Sequence, residues 1–272
     1  MAINNKLEKK MVTIKNNLAT FQTGGERNQP IIFIHGFPFD HKIWDLQVNY
    51  FKNNHNCITY DIRGLGQSPV GDGQFTMEGF VDDLFNLIEM HSLDKPVLCG
   101  FSMGGYIALR AVERNEKKFK GLVLCDSKAE ADNNQGKINR ANGIKEINNL
   151  GTEKFVENFV QKCFSENFIN SNKKEYEEVL NRSKRSSSIG LKGCLLAMAG
   201  RTDTTDYFSK LKIPALLICG EMDKLTPPDV MQALAGKLNH AEFVLIPRAG
   251  HVSSIENPTV FNSSLEKFLK KS

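Results

Sequence analysis

Six short segments of this chain are almost unbroken runs of Val, Ile, Leu, Phe and Cys: PIIFIHG (30–36), NCITYDI (56–62), KPVLCGF (95–101), GLVLCDS (121–127), PALLICG (214–220) and AEFVLIP (241–247). A strand with one wet face alternates apolar and polar residues. A continuous run instead suits a strand buried on both faces, as in a parallel sheet covered by helices. Helical patterns separate the runs, among them FTMEGFVDDLFNLIEMH (75–91) and PPDVMQALAGKL (227–238). Strands alternating with helices predict an α/β, doubly wound architecture. The earlier stretch MVTIKNNLATFQTGG (11–25) alternates more, and predicts an antiparallel hairpin on the sheet's edge.

One interval breaks the rhythm. The run ending near Asp126 and the run starting at Pro214 lie 214 − 126 = 88 positions apart, far more than a crossover helix and its loops need. The intervening residues are polar and helical in pattern, with no strand signal. They predict a helical insertion over 128–208, lying as a cap on a core made of 1–127 and 209–272. Net charge is only +4 and is dispersed among acidic residues, which argues against a nucleic-acid partner. No apolar run approaches the ~18 residues that a membrane span needs, and no secretory leader is evident. The six cysteines show no C-x-x-C pair and no zinc-ligand spacing with histidine, and several sit in strand-like runs. The expectation is a cytoplasmic protein that needs no metal and no cofactor.

The segment GFSMGG (100–105) directly follows one apolar run and opens a helical pattern. G-x-S-x-G alone arises by chance in roughly one chain in ten of this length, at average usage of about 7% for each residue. Strand, G-x-S-x-G, helix is a more demanding context, and it predicts a sharp turn that lifts the Ser102 hydroxyl off the sheet as a nucleophile. Gly100 and Gly104 allow the turn, and the Met103 N–H falls at a helix N-terminus that favours negative charge. A hydroxyl needs a base. His251, after the last run in FVLIPRAGH, is the candidate; His41, His55, His91 and His240 read as surface residues. An imidazole needs a carboxylate to set its tautomer. Asp223, in LLICGEMDKLTPP, is favoured for that role over Asp126 at the end of VLCDS. After PIIFI, the segment HGFP (35–38) offers the Phe37 N–H as a second donor beside Met103 for an oxyanion. His35 is expected to stabilise that loop. In DIRGLGQS (61–68), Asp61 and Arg63 are expected to hold loops together beside the site.

Taken in order, HGFP, DIRGLGQS, GFSMGG, GEMD and AGH resemble the α/β-hydrolase superfamily across nearly the whole chain. The segments LCDSKAEADNNQGKINR and GRTDTTDYFSKLKIPALLICGEMDKLTPP resemble capped bacterial carboxylesterases and 3-oxoadipate enol-lactonase-like hydrolases. The resemblance implies an α/β-hydrolase fold with a cap after the sixth core strand. It also implies a triad of Ser102, Asp223 and His251, with Phe37 and Met103 supplying the oxyanion hole. The expected activity is hydrolysis of a small carboxylic ester through an acyl-enzyme. Enol-lactone or carbon–carbon bond hydrolysis is the alternative, haloperoxidase activity a side reaction of the same triad, and a ligand-binding protein on the same fold a third reading. A substrate carboxylate would call for Lys128, Arg140 or Arg201, each otherwise expected at the surface. Phe155, Phe159, Phe164, Leu195 and Met198 of the insertion are expected mainly to pack on the core.

Overall fold

The computed structural model describes residues 10–13, 18–25 and 28–271. All six apolar runs are strands. β1 (Lys10–Thr13) and β2 (Ala19–Thr23) precede β3 (Pro30–Ile34), α1 (Asp45–Phe51), β4 (Asn56–Tyr60) and α2 (Met77–Met90). β5 (Val97–Phe101), α3 (Met103–Arg114) and β6 (Gly121–Cys125) come next. Five helices then run without an intervening strand: α4 (Asn134–Leu150), α5 (Thr152–Cys163), α6 (Glu166–Ser171), α7 (Lys173–Ser183) and α8 (Ser188–Ala199). After the short α9 (Thr205–Phe208), the chain ends with β7 (Ala215–Gly220), α10 (Pro228–Ala235), β8 (Ala241–Ile246), α11 (Ser253–Glu256) and α12 (Pro258–Lys271).

The eight strands form one sheet in the order β1-β2-β4-β3-β5-β6-β7-β8. β1 pairs with β2, and β2 with β4, in antiparallel fashion; all other pairs are parallel. The expected hairpin at the sheet edge is therefore present, although its connection at 14–17 lies outside the described residues. β3 through β7 are buried along their whole length, as continuous apolar runs require. β8 departs from that pattern. It is the last strand of the sheet and mostly half-buried, with Leu245 42% exposed, because only one of its edges has a neighbour.

The topology also fixes where a site can form. From β3 the chain first moves to β4 on one side, then returns to β5 on the other. Loops leaving β3 and β5 diverge at such a switch point and open a crevice at the strands' carboxyl ends. HGFP leaves β3 there and GFSMGG leaves β5.

Two glycines let these segments close on each other. A Cβ on Gly104 would stand 2.2 Å from the Ile34 carbonyl oxygen, and one on Gly100 would stand 2.4 Å from that of Gly104. Gly104→Ala is therefore expected to destabilise the fold by about 3 kcal/mol or more, since backbone has no room to yield. Gly73 is the control: its added Cβ meets nothing within 4 Å, and only its φ of +79° resists substitution. Gly73→Ala should cost roughly 1 kcal/mol. Urea-unfolding midpoints of the two variants, measured against the parent chain, check the contrast.

Candidate active site

Ser102 sits between β5 and α3 with φ 52° and ψ −115°, a backbone conformation that L-residues rarely adopt. Contacts on several sides hold it there. Its N–H donates to the Cys125 carbonyl (2.9 Å), and its carbonyl accepts from Gly105 N–H and from Ser127 Oγ (each 2.9 Å). The hydroxyl is left to face the crevice, beside the first amides of α3.

His251 and Asp223 arrive from the loops after β8 and β7. His251 Nε2 lies 2.9 Å from Ser102 Oγ, and its Nδ1 lies 2.8 Å from Asp223 Oδ2. Asp223 Oδ1 accepts from the Leu225 and Thr226 N–H groups at 2.8 and 3.0 Å, while Thr226 Oγ1 donates to Oδ2 at 2.5 Å. Burial alone would raise the Asp223 pKa. The facing His251 charge and the bonds from His251 and Thr226 outweigh it, and hold the carboxyl below its ordinary value. Thr226 was not legible as a site residue; its signal was a hydroxyl three positions after Asp223, just ahead of a helix.

Asp126 takes a different place. Its oxygens accept from Gly220 N–H (2.7 Å) and from Ser253 Oγ (2.5 Å), two residues beyond His251 rather than from the imidazole. Full burial, then the negative charge of Asp223, push its carboxyl well above the usual carboxylate range. Asp126, Cys219 and Asp223 bring potential metal-binding atoms within 4.8 Å of one another, but both carboxylates are already engaged by protein donors.

Two supporting residues behave as their motifs suggest. His35 Nδ1 bonds the Gly36 carbonyl (2.9 Å) and its Nε2 accepts from Ile62 N–H (2.9 Å), tying the β3 loop to the β4 loop. Arg63 forms a paired contact with Asp83 through Nε and Nη2, at 3.0 and 2.8 Å. His41 is a correction. It is buried rather than at the surface, stacked 3.7 Å from the Phe21 ring, with Nδ1 2.8 Å from Asp61. His240 is exposed, and His55 and His91 are half-buried.

A cavity of about 460 Å³ opens above Ser102 and His251. Phe37 lines it together with Phe155, Phe159, Leu195 and Met198 of the 128–208 segment, so these four residues face the cavity rather than serving only as packing. Phe37 meets Phe159 edge-on at 5.2 Å. Phe164 instead stacks on Phe168 inside the insertion. Its polar lining residues include Lys128, Asp132, Asn139, Arg140 and Glu146. Arg201 is also a correction: it is buried, bonded to Asp132 at 2.9 Å and lying 4.2 Å over the Tyr106 ring. Among the described residues, no helix is long and apolar enough to cross a membrane.

A family model described as the alpha/beta hydrolase fold matches residues 29–258. The chain is 24% identical to 3-oxoadipate enol-lactonase 2 of Acinetobacter baylyi over 264 residues, covering 97% of each protein. Among solved structures, a thermophilic esterase from Thermogutta terrifontis superposes with a TM-score of 0.90 at 30% identity, covering 97% of this chain and 98% of that one. The enol-lactonase from Burkholderia xenovorans superposes with a TM-score of 0.89 at 20% identity, over 96% and 100% of the two chains, and so shares the fold.

The Asp126 environment makes a stability prediction. A carboxyl whose folded pKa lies above its unfolded value of 3.8 contributes stability at low pH that is lost as pH rises through the folded value. Asp126→Asn keeps an acceptor for Gly220 and removes the ionisable group. The variant's urea midpoint should exceed the parent's at pH 7, and the difference should close as pH falls toward 3.8.

Proposed function

The chain belongs to the α/β hydrolase fold family, and within it we propose a serine carboxylesterase that hydrolyses small esters through an acyl-enzyme. The observation that carries this reading is the unbroken hydrogen-bonded line from Ser102 through His251 to Asp223 at the floor of the cavity. In the first step Ser102 Oγ attacks the ester carbonyl carbon while its proton passes to His251 Nε2. Asp223, held ionised, orients the imidazole and stabilises the imidazolium that forms. The developing oxyanion takes hydrogen bonds from the Phe37 and Met103 amides, where a single such donor is worth about 10²–10³ in rate. The tetrahedral adduct collapses as the C–O bond to the alcohol breaks and Nε2 returns the proton to the leaving oxygen. Water then repeats the cycle on the acyl-enzyme, releasing the carboxylic acid and Ser102.

In this reading, residues 128–208 form the cap over a core of 1–127 and 209–272, and supply most of the apolar residues lining the cavity that receives the acyl group. Six free, buried cysteines are consistent with a reducing, cytoplasmic setting. The test is hydrolysis of short-chain nitrophenyl esters together with covalent labelling by an organophosphonate. Ser102→Ala should lose both, with kcat down by at least about 10³. A folded parent chain that neither turns over these esters nor takes the label would overturn the proposal.

A second reading, hydrolysis of a lactone or ester that carries a carboxylate, is favoured by the cations in the cavity lining. Arg140 Nε and Arg201 Nη1 each lie 2.9 Å from Asp132, with Lys128 Nζ at 3.8 Å, so three cations surround one carboxylate. That surplus suits an anionic group on the substrate. The ratio of kcat/KM for a carboxylate-bearing lactone to that for a neutral ester should fall roughly tenfold in Arg140→Gln. An unchanged ratio removes the support.

A further inference from the structure

The loop that carries His251 is fastened to the insertion as well as to the sheet. His251 N–H donates to the Cys163 carbonyl at 2.8 Å, at the end of α5. Two residues further along the insertion, Ser165 N–H donates to Glu256 Oε2 at 3.1 Å, on the short helix just after the histidine. The fit at this corner is close. A Cβ on Gly250 would stand 2.7 Å from Ser165 N, 2.9 Å from Glu256 Oε1 and 3.1 Å from the Cys163 carbonyl. The corner is continuous with the cavity wall, because Cys163 Sγ bonds the Phe159 carbonyl and Phe159 lines the pocket. Lys224, beside Asp223, reaches Glu166 at 3.8 Å, but both side chains are exposed and that pair contributes little.

We infer that Glu256 is a positioning residue for His251, holding the α5–α6 corner against the histidine loop so that the imidazole meets Ser102. This role rests on the proposed serine-hydrolase activity and gives Glu256 no contact with substrate. The carboxylate fixes Ser165, and Ser165 fixes the register at which Cys163 accepts the His251 amide. Losing the anchor frees the loop on its insertion side, while Ser253 still holds its other side through Asp126. Displacement of a reacting group by about 1 Å can cost on the order of 10² in rate. A partial release should therefore lower turnover more than binding.

The experiment compares Glu256→Ala and Glu256→Gln on the short nitrophenyl ester that reports parent activity. In Glu256→Ala, kcat should fall about tenfold with KM within about twofold of the parent. Glu256→Gln retains an acceptor for Ser165 N–H and should restore kcat to within about threefold. If Glu256→Ala does not fold, Ser165→Pro removes the same bond from the other side. Ser165 has φ −67° and ψ 145°, and Phe164 has φ −102° and ψ 150°, backbone angles that proline allows, and the ring would displace the Glu256 carboxylate that the nitrogen can no longer bond. Ser165→Ala, which loses only the hydroxyl cap on Phe168 N–H, controls for the cap. Parent-like kcat in folded Glu256→Ala or Ser165→Pro overturns the inference, as does a change confined to KM. An inactive, unlabelled parent would instead overturn the serine-hydrolase reading, so the two failures are distinct.

Discussion

Everything proposed for this protein depends on one backbone conformation, the left-handed φ of 52° at Ser102. A non-glycine residue holds such a conformation only when its surroundings over-determine it. Here the end of β3 closes on Gly104, the end of β6 accepts the Ser102 amide, and Ser127 bonds its carbonyl. Strand order makes this possible, because β3 and β6 flank β5 in the sheet. The elbow is thus a product of the parallel sheet, and the hydroxyl's exposure results from burying everything beneath it.

Two aspartates at neighbouring strand ends illustrate how environment assigns chemistry. Both are buried, and burial pushes both carboxyls toward the neutral form. Asp223 faces an imidazole and the donors of Leu225 and Thr226, which return it to the ionised state. Asp126 lies near Asp223 and, among the described residues, accepts from Gly220 and Ser253, and burial with the Asp223 charge holds its carboxyl well above the ordinary value. The Asp223 carboxylate faces the imidazole, while Asp126 ties the β7 end to the histidine loop through Gly220 and Ser253. The same residue type therefore serves as proposed orienter in one place and as structural tie in the next.

The strands, their order of appearance and the positions of Ser102, Asp223 and His251 were legible because they depend on local apolar runs and on the few residues just past each run. Buried polar pairs were not. His41 reads as a surface residue until Asp61, twenty positions away, is brought beneath it, and Arg201 until Asp132 arrives from another loop. Burial of a charge is a property of the pair, and the partner is remote in sequence. Thr226 and Glu256 were missed for a related reason, since a hydroxyl or a carboxylate near a helix end has an ordinary capping reading. Edge position, which leaves β8 half-buried, is likewise a feature of the assembled sheet.

The helices between β6 and β7 bear on what the proposed enzyme would accept more than on the reaction proposed for it. Helix α5 turns Phe155 and Phe159 into the cavity at a four-residue spacing, and α4 turns Gly136, Asn139, Arg140 and Gly143 into it at helical spacings. The lining consequently mixes apolar side chains with Lys128, Asp132, Arg140, Glu146 and Lys162 beside the Ser102 hydroxyl. Helix α4 buries only Ile147 and carries almost no apolar stripe, a poor pattern for a helix meant simply to pack. A polar face turned toward a cavity makes sense of that sequence. In the proposed reading, the Ser102 turn and its partners bear on which bond is broken, and the residues that α4 and α5 turn into the cavity bear on what is attached to it. Under the proposed hydrolase activity, such mixed lining suits an amphiphilic substrate with an apolar portion beside the phenylalanines and a polar or anionic group beside Lys128 and Arg140.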